Sequence, residues 1–266
     1  MTLQLFDSHS HLDAPEFDPD RDQVLTRARL VGVEEQLVPA VDRASWPALK
    51  QLCVANAGLY PAYGLHPMYL DQHQPVHLVE LRQWIERERP PAIGECGLDF
   101  FVEGLDAQAQ RLYFLGQLQL ARDFDLPQVI HARRSVEEVI LSLRRIGGLR
   151  GIVHSYSGSE EQARLLVDMG MLIGIGGPVT YERARRLQRI AKDLPLDALV
   201  LETDSPDQPG SGHRGQRNEP AHLLDVLNAV ARLRNCDTHE LALATRANMR
   251  RLLRLDGPLS VGRFAQ

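Results

Sequence analysis

Gln128-Val129-Ile130-His131-Ala132-Arg133-Arg134-Ser135-Val136-Glu137-Glu138 decides how this chain is read. A short β-branched run, Gln128–His131, ends in a histidine, and Ser135 then opens a helical segment. Ser135 with Glu138 three residues on has the spacing of a capping box. The same strand-then-helix order repeats on both sides. Strand signals fall at Leu3–Ser8, Gln36–Ala40, Tyr60–Gly64, Ala92–Glu95, Gln128–His131, Gly151–Ser155, Leu172–Gly176 and Ala198–Thr203, each followed by room for a helix. Asp106–Asp125 sets Leu112, Leu115, Leu118 and Ala121 along one apolar face. Ser159–Met169 has Ser159 as N-cap and Gly170 as its stop, and Pro220–Leu233 and Thr238–Leu253 are further helices. Repeated βα units predict a parallel sheet. With eight units in 266 residues, closure is favoured over an open doubly wound sheet, because a barrel has no exposed edge. The expected fold class is α/β: a single (β/α)8 TIM-type barrel domain over residues 1–266.

Bulk properties narrow the function. A hydrophobic content of 44% with 24% charged residues is globular. No apolar run approaches the ~20 residues of a membrane span, and the N-terminal residues show no basic leader, so no membrane partner is expected. Cys53, Cys96 and Cys236 are odd in number and form no CxxC pair, which reads as reduced thiols in a cytoplasmic protein. A net charge of −5 excludes a protein that grips long nucleic acid through many phosphate contacts. A monomer is the default expectation.

The chemically capable residues fall at strand ends, where a parallel barrel carries its function. His9 and His11 follow the first strand, His66 the third, Glu95 ends the fourth, His131 the fifth, His154 the sixth, and Asp204 follows the eighth. Taken singly, a histidine at a strand end is more often structural than a ligand. His-x-His is better, since a period of two puts both rings on one face. Burying four histidines and two carboxylates at one mouth without a partner costs several kcal/mol, and cations are the simplest partner. Six ligands exceed one tetrahedral ion, so two divalent ions are expected. His9, His11 and Asp204 would hold one, His131 and His154 the other, with Glu95 bridging. Lys50 and Lys192 are the only lysines and lie away from strand ends, so no carboxylated lysine can bridge. Nitrogen-rich ligation suits Zn²⁺, Mn²⁺ or Ni²⁺ better than Mg²⁺.

Several motifs together resemble one family. Asp7-Ser8-His9-Ser10-His11-Leu12-Asp13, Gly64-Leu65-His66-Pro67, Ile93-Gly94-Glu95-Cys96-Gly97-Leu98-Asp99, Ile130-His131-Ala132-Arg133, Val153-His154-Ser155-Tyr156-Ser157-Gly158, Gly174-Ile175-Gly176-Gly177 and Leu201-Glu202-Thr203-Asp204-Ser205-Pro206 occur in order across nearly the whole chain. Arg214-Gly215-Gln216 and Asn218-Glu219-Pro220 look like the family's loop after the eighth strand. The sequence resembles the TatD family of metal-dependent hydrolases, most closely its YjjV-like branch. The resemblance implies a divalent-metal centre (Mg²⁺ being the ion usually associated with the family) and phosphodiester hydrolysis of the deoxyribonuclease or 3′–5′ exonuclease kind. Aminoacyl-tRNA deacylation is a further activity of some relatives. The stretch Asp207-Gln208-Pro209-Gly210-Ser211-Gly212-His213 departs from the usual hydrophobic loop.

On this reading a metal-activated water attacks phosphorus, and Asp204 orients or deprotonates it. His66 binds phosphate or donates a proton; its bland alternative is a hydrogen bond to the loop before Pro67. Arg133 contacts phosphate or is merely exposed. Glu202 and Asp7 share faces with the ligands and support them, and Asp99 pairs with a nearby histidine. The loop 207–218 selects the substrate, with His213, Arg214 and Arg217 as its cationic cluster, or else is a solvated loop whose arginines touch nothing. DNA or another phosphodiester is the expected partner, with single strands or ends preferred. The rival is an amidohydrolase or lactonase on the same centre; a non-enzymatic metal- or nucleotide-binding module is weaker, because the ligands are intact.

Overall fold

The computed structural model describes residues 3–256; the two ends of the expected 1–266 domain lie outside the described residues. Eight parallel strands pair in sequence order: β1 (Leu5–Asp7), β2 (Val33–Pro39), β3 (Leu59–Tyr63), β4 (Ala92–Asp99), β5 (Gln128–Arg133), β6 (Gly151–Val153), β7 (Met171–Ile175) and β8 (Leu199–Leu201). The Ser8 amide donates to the Leu201 carbonyl at 2.9 Å, which brings the first strand's end against the last. The fold is a (β/α)8 TIM-type barrel.

Among the described residues the helices are α1 (Arg21–Leu30), α2 (Trp46–Ala55), α3 (Val76–Glu88), α4 (Ala107–Asp123), α5 (Val136–Ile146), α6 (Glu160–Asp168), α7 (Arg185–Asp193), α8 (Leu223–Arg234) and α9 (Thr238–Leu253). None is long and apolar enough to cross a membrane. Ser159 caps α6 in a full capping box with Gln162. The capping box expected at Ser135 does not form. Its hydroxyl donates instead to the Leu98 carbonyl at 2.6 Å, and Glu138 pairs with Arg111 on α4. A strand-end carbonyl and a neighbouring helix outcompete the local cap, which sequence spacing cannot show. On α4, Leu118 and Ala121 face the core as expected, but Leu112 is exposed, and the buried face includes Gln110 and Gln117.

The lower barrel interior is apolar. Val129, Ile152 and Val200 lie two residues before His131, His154 and Glu202 and so share their face. They pack with Phe6, Leu37 and Leu172, and α9 adds Met249, Leu252 and Leu253 beneath them. Further up, β7 carries glycine. A Cβ at Gly174 would sit 2.2 Å from the Glu202 carboxylate, so the absence of a side chain there makes room for the buried acid.

Candidate metal centre

β4 runs on to Asp99 rather than ending at Glu95 as the sequence suggests. Its pairing with β5 shifts between Ile93 and Cys96, and Gly94 and Gly97 both take φ of +145°. These kinks carry Glu95 into the mouth, where it is 1% exposed at the centre of five histidines. Its Oε2 lies 3.1 Å from His9 Nε2 and 3.2 Å from His11 Nε2. Its Oε1 lies 2.8 Å from His66 Nε2, 3.1 Å from His131 Nδ1 and 2.8 Å from His154 Nε2. Asp204 directs Oδ1 at His9, 3.4 Å away, and at His11, 3.8 Å away.

The structure thus brings together all six expected ligands and adds His66, which sequence reasoning leaves outside the cluster. The sets His9–His154–Asp204, His9–His11–Glu95 and His66–Glu95–His131 each have ligating atoms within 4.8 Å of one another. The expected division is less clean than the sequence suggests. His9 and His154 stack with centroids 3.8 Å apart, so His154 faces Asp204 as well as His131.

These donors fit cations. His9 and His11 oppose Nε2 to Nε2 at 3.1 Å, and His131 Nδ1 opposes His154 Nε2 at 3.2 Å. Facing imidazole nitrogens share at most one proton per pair. Glu95 Oε2 is buried and receives no hydrogen bond, a costly state unless a positive partner sits there. Burial and the adjacent His154 hold His9 well below the usual imidazole range, leaving it uncharged. Burial opposes protonation of His11 and His131 too, yet their carboxylate neighbours outweigh it. Glu95 and Asp204 push His11 up to about 10, and Asp99 with Glu95 pushes His131 up to about 9. The cluster calls for positive charge at those two positions. Both keep some solvent access, 18% and 14% of the side chain, and so mark the open side.

Supporting groups fix the donors. Asp99 Oδ2 accepts the His131 Nε2 proton at 2.9 Å, leaving Nδ1 as the ligating atom. Asp99 Oδ1 accepts the amides of Phe101 and Val102. Burial would raise this carboxyl, but these bonds and His131 hold it at about 2. Asp99 therefore pairs with a histidine as expected. His66 is different: its Nδ1 accepts the Met68 amide at 3.2 Å, so the proton sits on Nε2 and points at Glu95. Burial lowers its pKa to about 4, so it meets Glu95 as a neutral donor.

Asp7 and Glu202 stand behind the ligands on the β1 and β8 side. Asp7 accepts the His9 and Thr203 amides and the Thr203 hydroxyl, and burial raises it to about 7. Glu202 accepts the Ser155 amide; burial and the nearby Asp204 raise it well above the usual carboxylate range. Two buried glutamines of α4 were invisible in the sequence. Gln110 bonds both the amide and the carbonyl of Asp99, and Gln117 does the same at Leu65, next to His66. Gln208 was also missed: its Nε2 donates to Asp204 Oδ2, and Ser155 donates to its Oε1.

The expected cationic cluster of the loop 207–218 does not assemble. Arg217 forks onto Asp20 at 2.8 Å and lies over Phe17, and His213 bonds Asp225 and stacks on His222. Asp20 comes from a distant part of the chain, and Asp225 from α8, the helix that follows the loop. Arg214 remains exposed. Arg133 is exposed, its guanidinium 3.7 Å from the centre of the Phe101 ring.

A family model described as TatD related DNase matches residues 6–254. The chain belongs to the TatD family. It is 39% identical over 248 residues to an uncharacterized metal-dependent hydrolase, YjjV, of Escherichia coli, covering 92% of this chain and 95% of that protein. The crystal structure of YjjV, a TatD homologue from the same organism, superposes with a TM-score of 0.90 at 36% identity, covering 95% and 98% of the two chains. A 3′-5′ ssDNA/RNA exonuclease TatD of Erwinia tasmaniensis is 33% identical over 267 residues, covering 94% of this chain and all of that protein. The TatD-family chain described here is accordingly a metal-dependent hydrolase, with a His/Asp/Glu cluster able to hold metal at its barrel mouth.

Proposed function

We propose that this TatD-family protein is a phosphodiesterase that shortens single-stranded DNA or RNA from the 3′ end, using two divalent ions. The observation that carries the reading is the division of Glu95: one carboxylate oxygen faces His9 and His11, the other faces His66, His131 and His154. A carboxylate facing two donor sets suits a bridge between two ions. The exonuclease name of the Erwinia relative supports the substrate class.

His9, His11, Asp204 and Glu95 would hold one ion, and His131, His154 and Glu95 the other. Ions there supply Lewis acidity, making water acidic enough to attack near neutral pH and offsetting charge on the phosphoryl oxygens. Asp204 takes the proton of the attacking water. Gln208 occupies Oδ2 and leaves Oδ1 turned to the histidines. His66 keeps Glu95 Oε1 in place. Arg133, exposed at the end of β5, and Arg214, exposed on the loop after β8, draw the phosphate backbone in. The net charge of −5 leaves few other sites to neutralise phosphates, which disfavours long duplex.

The test uses a 5′-labelled linear single strand, the same sequence as duplex, and a circular single strand, with Zn²⁺, Mn²⁺, Ni²⁺ or Mg²⁺ added in turn. A ladder shrinking from the 3′ end of the linear strand, abolished by chelator, is expected. Turnover of amides or lactones with no phosphodiester cleavage under any metal refutes the proposal.

A further inference from the structure

Beside the metal centre lies a cleft of about 410 Å³ between the loop after β6 and the start of α7. Its walls include the apolar surfaces of Tyr156, Pro178, Leu187 and Ile190, and Arg183 and Arg186 also line it. Ser155 and Gln208 line it too, and Gln208 holds Asp204, so cleft and metal centre are contiguous. The size is that of a small-ligand site.

The charges here contrast with those of the loop after β8. Arg186 donates only to the Ser157 carbonyl, and Arg183 lies 6.0 Å from the Tyr181 ring; neither has an ion-pair partner among the described residues. Arg189, one turn on, is already taken by Glu160. In a protein of net charge −5, two unneutralised guanidiniums at the edge of an apolar cleft invite an anion. Guanidinium forks bind phosphate by paired hydrogen bonds. Apolar walls suit the flat face of an unpaired base.

We propose that this cleft is a nucleotide subsite: it takes one unpaired nucleotide next to the scissile bond, its base against Tyr156, Pro178 and Leu187 and its phosphate between Arg183 and Arg186. This rests on the nuclease reading above and extends it. A base still in a duplex cannot enter, so the cleft accounts for a preference for single strands.

The test compares wild type with Arg183→Ala, which makes no hydrogen bond of its own, and with Arg183→Ala/Arg186→Ala. Two readouts are taken: titration of thymidine 5′-monophosphate followed through the amides of Tyr156, Gly158 and Gly176, and kcat/KM on oligo(dT) relative to a small chromogenic phosphodiester. Loss of two charged phosphate contacts should weaken mononucleotide binding roughly ten- to a hundredfold. The oligonucleotide-to-small-diester ratio should fall by at least tenfold, and the log–log salt slope of oligo(dT) binding should flatten by about 0.7 per arginine. Mononucleotide shifts that map elsewhere, or titrations and ratios identical in all three proteins, overturn the subsite. If wild type binds the mononucleotide in the cleft but cleaves no phosphodiester, the subsite stands and the nuclease reading falls.

Discussion

On the Oε1 side of Glu95, His131 is aimed by a side chain; on the Oε2 side, His9 is aimed through its backbone. Asp99 takes the His131 Nε2 proton and is itself held by two loop amides and by Gln110. His9 has no partner at Nδ1; Asp7 instead accepts its amide and ties it to Thr203. A side-chain prop can lose its charge and still keep an oxygen for the loop amides, whereas the backbone prop also holds the seam between first and last strands. The two halves of the cluster should therefore respond differently to equally mild substitutions.

The largest effect is expected from the residue both halves share. Glu95→Gln removes a charge facing every histidine of the cluster and should strip metal from both sides. Loss of several kcal/mol of ion-mediated stabilisation corresponds to at least ~10³-fold in kcat/KM. Bound metal per chain, measured by elemental analysis after dialysis, should fall to near zero. Retention of one full equivalent would show that one half holds its ion without Glu95. Asp99→Asn probes the Oε1 half alone. It should weaken one ion by ~10–100-fold, the usual range for loss of such a partner, and leave the other unchanged. Competition with a graded series of chelators should resolve two classes of metal in the variant; equal weakening of both would mean the halves are not separately supported.

How much of this was legible follows the same division. The clustering of the candidate ligands could be read because they sit at strand ends, where His-x-His and Thr203-Asp204 place polar groups beyond apolar runs. Asp99 was legible as a partner for the same reason. Gln110, Gln117 and Gln208 were not, since a glutamine on a helix or loop looks like ordinary surface until the backbone it clamps is known. Neither was the fate of Arg217, because Asp20 lies 197 residues away in the chain. The free arginines Arg183 and Arg186 were in plain view, in Arg183-Ala184-Arg185-Arg186-Leu187-Gln188-Arg189. A run of charges on a helix has no address until its neighbours are placed.

The smallest effect concerns the loop that carries Gln208 to the Oε2 half. The Arg217 hydrogen bond, reinforced by Arg27, holds Asp20 down at about 2, against an ordinary value near 4. A depressed carboxylate adds stability that is complete above its unfolded pKa and is lost as pH falls toward the folded one. Part of the wild-type loss of Tm between pH 5 and pH 3 should therefore be missing in Asp20→Asn. The pair is on the surface, so the difference should be a few degrees at most. Identical Tm profiles would mean that this tether contributes nothing to holding the loop.

The floor of the barrel has a consequence for how the chain is made. Met249, Leu252 and Leu253 of α9 complete the apolar layer beneath Phe6 and Val200, and Arg246 and Arg250 of the same helix neutralise Glu35 near the start of β2. During synthesis at ~5–20 residues per second, all eight strands leave the ribosome before that helix does. For several seconds a nearly finished cylinder stands open at its base, with Glu35 lacking its arginine partners and a greasy ring exposed. α9 acts as the stopper, and a ribosome that stalls just before it releases a chain with every residue of the mouth cluster present and no floor beneath the barrel.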